Sequence, residues 1–312
     1  MDKIFTIIVT YNGMRNNWIY KCLTSLKESD YPTEIIIIDN NSNDSTPEFI
    51  LSNFKEVILI QNNTNKGFGG ANNQGIEIAL NKGADYIFLL NQDAYVESKT
   101  IGELVSKSKI NLDYGILSPL HLNGDSSGLD YNFSLYISAN RCKNIYSDFV
   151  LNRIKDDAYE SDFICAASWF LPRKTFEIVG GFSPTFYHYG EDNNYVHRLK
   201  YKGLKIGVIP SARILHDRAE RSKSKYDQQT FIKHKELLIR ISNPNNNYFY
   251  NNYKKELNIN IFKKILMFNS FSSLYKSYLK VKLLKKEIEK NFLVSISNKK
   301  FVFLNINDDY RE

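Results

Sequence analysis

Asn91-Gln92-Asp93 closes the apolar run Tyr86-Ile87-Phe88-Leu89-Leu90. A short buried strand ending in an acidic residue delivers one carboxylate to the rim of a parallel sheet, where open α/β folds bind their ligands. Such a carboxylate serves either a ligand or, as many strand-ending Asp residues do, the local turn. Two earlier apolar runs also end in polar clusters, Val9-Thr10-Tyr11-Asn12 and Asp39-Asn40-Asn41-Ser42. Three strand ends that converge describe a site. Glu191-Asp192 opens a predicted helix just after Tyr187-His188-Tyr189-Gly190. Paired carboxylates there either stabilise the helix dipole or supply a general base toward a hydroxyl. His216 ends another apolar run and is either a metal ligand or a satisfied structural histidine.

The elements that position these residues alternate. Phe5–Val9, Ile35–Ile38 and Val57–Ile60 are short apolar runs fit for strands buried on both faces. Between them, Trp18, Ile19, Cys22, Leu23 and Leu26 fall at helical spacing, and Ser45-Thr46-Pro47-Glu48 opens a helix with a capping box. Further helices are expected over 70–82, from Ser98, and over 190–202. Strands are expected at 86–90, 115–117, 163–171 and 206–210. Residues 121–160 read as loop or short antiparallel strands. This order predicts a parallel, doubly wound α/β sheet. Asn65-Lys66-Gly67-Phe68-Gly69-Gly70-Ala71-Asn72 invites a dinucleotide-binding reading but puts Asn72 in the third glycine slot and follows the wrong strand. It remains a tight turn or an anion-facing helix start.

With 312 residues and 43% hydrophobic content, the chain can build one large domain, here expected over 1–225, with a helical region over 226–312. Cys22, Cys142 and Cys165 are too few and scattered for a disulfide framework or zinc cluster, which points to a reducing compartment. The run Ile4–Thr10 is too short for a signal peptide, and no run reaches the about 18 apolar residues of a membrane span. Residues 251–290 hold ten lysines against three glutamates, an excess equal to the net charge of +7 of the whole chain. The basic character is therefore a property of the tail.

The ordered set Val9-Thr10-Tyr11-Asn12-Gly13, Asp39-Asn40-Asn41-Ser42-x-Asp44, Asn65-x-Gly67-x-Gly69-Gly70-x-Asn72-x-x-Gly75, Leu90-Asn91-Gln92-Asp93, Gly180-Gly181-Phe182, Glu191-Asp192 and His216 resembles the family 2 inverting glycosyltransferases. Within them it is most similar to the rhamnosyltransferase-like branch, which also includes galactofuranosyltransferases. The resemblance covers roughly residues 4–216. It implies a type-A glycosyltransferase fold, a Rossmann-like, mostly parallel sheet flanked by helices, followed here by a helical, basic C-terminal extension. It also implies that Thr10, Tyr11 and Asn12 line a nucleotide pocket, that Asp39 bonds the base, and that Asn65, Lys66, Gly67, Gly70 and Asn72 lie near ribose and diphosphate. Asn41, Asn91 and Gln92 join this donor set. Asp93 and His216 would hold Mg²⁺ or Mn²⁺, Asp192 would deprotonate the acceptor hydroxyl, and Trp169 and Glu191 would face the acceptor. Two positions depart from the family: Asn91 stands for the first acid of Asp-x-Asp, and Asn194 for the last acid of Glu-Asp-x-Asp.

The implied activity is transfer of a hexose, foremost L-rhamnose from dTDP-rhamnose, to a cell-surface glycan or lipid-linked oligosaccharide. The alternatives are a UDP-galactofuranose or other UDP-hexose transferase, or a non-catalytic nucleotide-sugar or glycan-binding module. The expected location is the cytoplasm, at the inner face of the plasma membrane. An apolar stripe over 259–286, interleaved with lysines, either packs on its own domain or lies on an anionic membrane surface. With no arginine over 251–290 and no recognised motif, a nucleic-acid partner is not expected.

Overall fold

The structure, a computed structural model, describes residues 2–218, 229–246 and 285–306. Six strands run in one direction: β1 (Ile4–Thr10), β2 (Glu34–Asp39), β3 (Ile58–Gln61), β4 (Tyr86–Asn91), β6 (Tyr114–Asn123) and β9 (Lys205–His216). The reversed strands are β5 (Ala94–Val96), β7 (Tyr159–Glu160) and β8 (Ser168–Pro172). The order is β3-β2-β1-β4-β8-β6-β9-β5, with β7 against β9. Thr10, Asp39, Asn91 and His216 therefore end parallel strands at one rim, as the polar clusters after the apolar runs predict.

Alternation along the strands splits the core into two layers. Phe5, Ile7, Ile36, Ile38, Ile87 and Leu89 face α3 (Gly67–Asn81), α7 (Arg173–Val179) and α8 (Glu191–Tyr201). Ile4, Ile8, Ile37, Phe88 and Leu90 face α1 (Trp18–Lys27), α2 (Thr46–Asn53) and α4 (Thr100–Ile110). Burying both faces explains why these strands are continuous apolar runs.

Residues 121–160 contain the expected short antiparallel pairing, at β7, and also elements that the sequence does not predict. β6 runs on to Asn123, and two short helices follow, α5 (Tyr131–Tyr136) and α6 (Ile145–Val150). Asp130 starts α5 as its N-cap, accepting from Phe133 N at 2.8 Å. The expected strand over 163–171 begins only at Ser168, because the Ile164 carbonyl turns to accept from Trp169 Nε1.

The described parts of the C-terminal extension pack on the sheet domain. These are α9 (Gln229–Ile241), a helix α10 over 285–296, and residues 297–306. Ile241 and Ile288 are buried together. Gly181 N donates to Val302 O at 2.8 Å, and Asn73 Nδ2 to Phe303 O at 3.3 Å. Most of the apolar stripe expected over 259–286 lies outside the described residues.

Candidate active site

The β5–β9 pairing sets Ala94 opposite His216, which brings Asp93 to the end of β9. His216 Nε2 lies 3.6 Å from Asp93 Oδ1, and both side chains are buried. The other ring nitrogen, Nδ1, is 3.7 Å from Asp130 Oδ2. Neither ring nitrogen of His216 makes a hydrogen bond. Asp130 is in turn gripped by the Arg218 guanidinium through two bonds of 2.8 Å. Behind His216, the His121 ring stands edge-on at 5.9 Å and stacks on Phe133. Burial, with the nearby His216 and Arg218, holds His121 well below the usual histidine range, so it stays neutral.

An oxygen and an imidazole nitrogen that face each other in this way suit a divalent cation. Among the described residues, no group of three or more His, Cys, Asp or Glu side chains is arranged to hold a metal. Asp93 and His216 thus fit an ion that takes its remaining ligands from phosphate oxygens and water, as Mg²⁺ commonly does.

The donor-side residues form a network. Asp39 accepts from Thr10 Oγ1 (2.9 Å), Ser42 N (3.0 Å) and Ser42 Oγ (2.5 Å). Asn12 N donates to Ser42 Oγ, while Asn12 Oδ1 accepts from Asn43 N. Asn12 and Asn41 hold positive φ of 53° and 69°, a region in which Asn is several-fold enriched over most other residues. Gln92 clamps the Tyr11 backbone with both ends of its amide and leaves the Tyr11 ring exposed. Asn91 donates its backbone N–H to Ala167 O.

The glycine-rich turn is held from beneath. Asn40 accepts from Lys66 N and donates to Asn65 Oδ1, which also accepts from Gly67 N. Gly67 has φ +74°, and a Cβ there would stand 1.9 Å from Tyr187 O. Only glycine fits. Gly70 is roomier, its nearest neighbour being Lys66 Cβ at 3.5 Å. Asn72 is buried and donates to Phe68 O in its own helix.

On the other side of the rim, Asp192 borders a cavity of about 630 Å³ shared with Tyr136, Cys165, Arg218 and Lys235. Burial raises the Asp192 carboxyl above the ordinary carboxylate range. Glu191 is buried too. Desolvation first, then the Asp192 charge, pushes it up to about 8. Burial and the Asp192 charge raise the Cys165 thiol to about 11. Trp169, expected to face the acceptor, is instead fully buried, stacked against Phe182 and bonded to Ile164 O. It supports the Gly-Gly-Phe turn from within the core. Asn194 stands beside the fully buried Arg198, accepting from its Nε at 3.0 Å, while the guanidinium also bonds Val179 O and Gly181 O.

Asp130, His121 and Arg218 escape a reading of the sequence. Asp130 carries only the signal of a helix cap, and His121 sits within a strand whose partners come from elsewhere. Arg218, two places after His216, touches both halves: it bonds Asp130 on the His216 side and lines the Asp192 cavity.

An α/β sheet with one polar rim and converging Asp and His side chains is the architecture of the type-A glycosyltransferases. Residues 6–176 match the sequence model of glycosyl transferase family 2, more than half of the chain, and the chain belongs to that family. It is 26% identical to the dTDP-rhamnosyl transferase RfbF of Shigella flexneri, over 71% of each chain. It is 24% identical to the N-acetylglucosaminyl-diphospho-decaprenol L-rhamnosyltransferase of Mycobacterium tuberculosis, over 70% of this chain and 77% of that one. Among solved structures, GalNAc-T7 with UDP, GalNAc and Mn²⁺ superposes with a TM-score of 0.57 and 15% identity. That match covers 78% of this chain but about half (51%) of GalNAc-T7. S. aureus TarS with UDP-GlcNAc gives a TM-score of 0.51 and 17% identity, over 77% of this chain and 66% of that one. These likenesses establish the fold.

Proposed function

We propose that the chain transfers L-rhamnose from dTDP-rhamnose, with inversion, to a hydroxyl of a cell-surface glycan or lipid-linked oligosaccharide. The rhamnosyltransferase names of its relatives support the donor, and the diphospho-decaprenol relative supports the acceptor. The observation that carries the reading is Arg218, which joins the Asp93–His216 pair to the cavity of Asp192. An acceptor in that cavity and a donor at the rim would meet beside Asp192.

In this reading, Thr10, Tyr11, Asn12, Asp39, Asn41, Asn91 and Gln92 form the nucleotide side of the donor site. Asn65, Lys66, Gly67 and Gly70 present the turn to ribose and diphosphate. Asp93 and His216 would hold Mg²⁺ or Mn²⁺. Bound there, the cation would act as a Lewis acid, offsetting the charge that develops on the departing diphosphate. Asp192 takes the proton from the acceptor hydroxyl as that oxygen attacks the sugar, in one displacement and without a covalent nucleophile. Burial raises its proton affinity, the direction that makes a carboxylate a stronger base. Glu191 is buried next to it, and the Asp192 charge adds to the rise of the Glu191 carboxyl.

Use of a nucleotide sugar and the thiols of Cys22, Cys142 and Cys165, all free, support a reducing, cytoplasmic location. Among the described residues, no helix is long and apolar enough to cross a membrane. The test is a donor panel of dTDP-L-rhamnose, UDP-galactofuranose and UDP-hexoses, with released nucleoside diphosphate as readout. Turnover with dTDP-L-rhamnose above the others is expected. Preference for a UDP-sugar would overturn the donor. Binding without turnover of any donor would make the chain a non-catalytic module.

A further inference from the structure

With Trp169 in the core, the wall of the Asp192 cavity carries three aromatic side chains, Tyr136, Phe163 and Tyr189. Tyr136 and Phe163 are half-buried and pack edge to face on each other, with 5.1 Å between centroids. Tyr189 is different: it stands three places before Asp192 and is 43% exposed. Its backbone is held at φ 64°, and Gly190 follows at φ 98°. Positive φ in an aromatic residue is an outlier, and such strain persists where the surroundings over-determine it, as they often do at ligand sites. Here the His188 ring lies 4.2 Å from the Tyr189 ring, and the Lys235 ammonium lies over it at 5.8 Å. The loop and α9 therefore brace the ring while leaving it exposed.

The rest of the wall carries both signs of charge, Arg141, Arg218 and Lys235 with Asp162 and Asp192. Arg218 is already paired with Asp130, and Asp162 with Lys200. Such a wall favours neither an anion nor a cation. Together with the amides of Asn132 and Asn193 it suits a neutral ligand rich in hydroxyls, each of which both donates and accepts. A pyranose is such a ligand, and it also presents a face of C–H groups. That face is apolar and is drawn to the negative face of an aromatic ring. The cavity, about 630 Å³, is of the size that holds small ligands.

We infer that Tyr189 is the platform on which the accepting sugar lies, a neutral pyranose with its C–H face on the ring and a hydroxyl toward Asp192. The braced ring fixes the height of that sugar above the loop, and the three-residue spacing keeps it beside the carboxylate. Its part as the seat of an acceptor rests on the transferase reading above, whereas the seating of a pyranose on the ring does not.

The test is titration of the full chain, followed by saturation-transfer NMR, with the methyl pyranosides of glucose, galactose, N-acetylglucosamine and rhamnose, in the presence of Mg²⁺ and dTDP. The parent should bind at least one of them, with the strongest saturation on its ring C–H protons. Tyr189→Asn suits the positive φ, so it keeps the turn and removes the ring. It should weaken glycoside binding about tenfold, whereas Tyr189→Phe should stay within about twofold of the parent. Both variants should bind dTDP as the parent does and keep its thermal midpoint, a split that a merely structural role would not produce. The inference fails if the parent binds none of the four, or if Tyr189→Asn binds them as the parent does. It fails equally if Tyr189→Phe loses as much as Tyr189→Asn, which would assign the contact to the hydroxyl, or if Tyr189→Asn loses dTDP together with the glycoside. Release of nucleoside diphosphate from a donor reads the transferase assignment separately. Glycoside binding through Tyr189 without such release from any donor would sink that assignment and leave the ring a glycan seat.

Discussion

His216 Nε2 and Asp93 Oδ1 face each other at 3.6 Å, brought together by the antiparallel pairing of a three-residue strand with the end of β9. In the function proposed above, these two buried side chains would form half of a cation shell, on elements that cannot move independently. EDTA should stop sugar transfer, and Mn²⁺ or Mg²⁺ should restore it. Calorimetry of nucleoside diphosphate binding gives a readout apart from turnover. Metal-dependent binding should be lost in Asp93→Ala and weakened in His216→Ala. Asp130→Asn, which alters the group facing His216 Nδ1, should weaken it about 10–100-fold, the usual range for outer-shell partners. Full activity in chelator would assign charge neutralisation to basic side chains instead.

Asp192→Asn should lower turnover by on the order of 10²–10⁴-fold while donor binding is kept. The base works only when deprotonated, and burial raises its proton affinity. The rate should therefore climb with pH over a range higher than an ordinary aspartate would give. Near-normal turnover in the variant would remove Asp192 from the role.

Glu191 makes a stability prediction with a definite sign. Its carboxyl rises from an ordinary 4.5 to about 8 in the folded chain, so the native state binds the proton more tightly than the unfolded state. That contribution is fully present below about pH 4.5 and is lost as pH climbs to about 8. Glu191→Gln keeps the shape without the charge. Its thermal midpoint should gain on the parent progressively across this window, and equal midpoints throughout would contradict the buried, raised carboxyl.

The rim of the sheet is legible in the sequence because each strand is a continuous apolar run that stops at a polar cluster, at Thr10, Asp39 and Asn91. That signal needs no periodicity. The insert after β6 is not legible in the same way. α5 and α6 have six residues each, too few to establish a 3.6-residue period, and α6 turns its apolar side outward. Trp169 reads as a ligand-facing aromatic because composition cannot separate a pocket wall from the core behind it. Arg198 carries no signal of burial in the sequence. Its partners are carbonyls of Val179 and Gly181, which only the fold brings near.

Those carbonyls belong to the turn that leads toward α8, and the C-terminal residues close over it. Gly181 N bonds Val302 O, and a Cβ on Gly180 would stand 2.1 Å from that same carbonyl. Phe303 lies under the Arg198 guanidinium at 5.3 Å, and Phe301 and Val302 are buried. Ending the chain after Lys300 should therefore cost several kcal/mol, since burial of each such apolar side chain contributes roughly 1.5–3 kcal/mol. It should also lower turnover, because the turn sets the approach to α8, which starts with Glu191 and Asp192. Phe303→Ala separates the two effects. It keeps the Gly181–Val302 bond and removes only the ring under Arg198, so a smaller fall in thermal midpoint is expected. A shortened chain with the parent's midpoint and turnover would mean that the turn holds its shape without the C-terminal clasp.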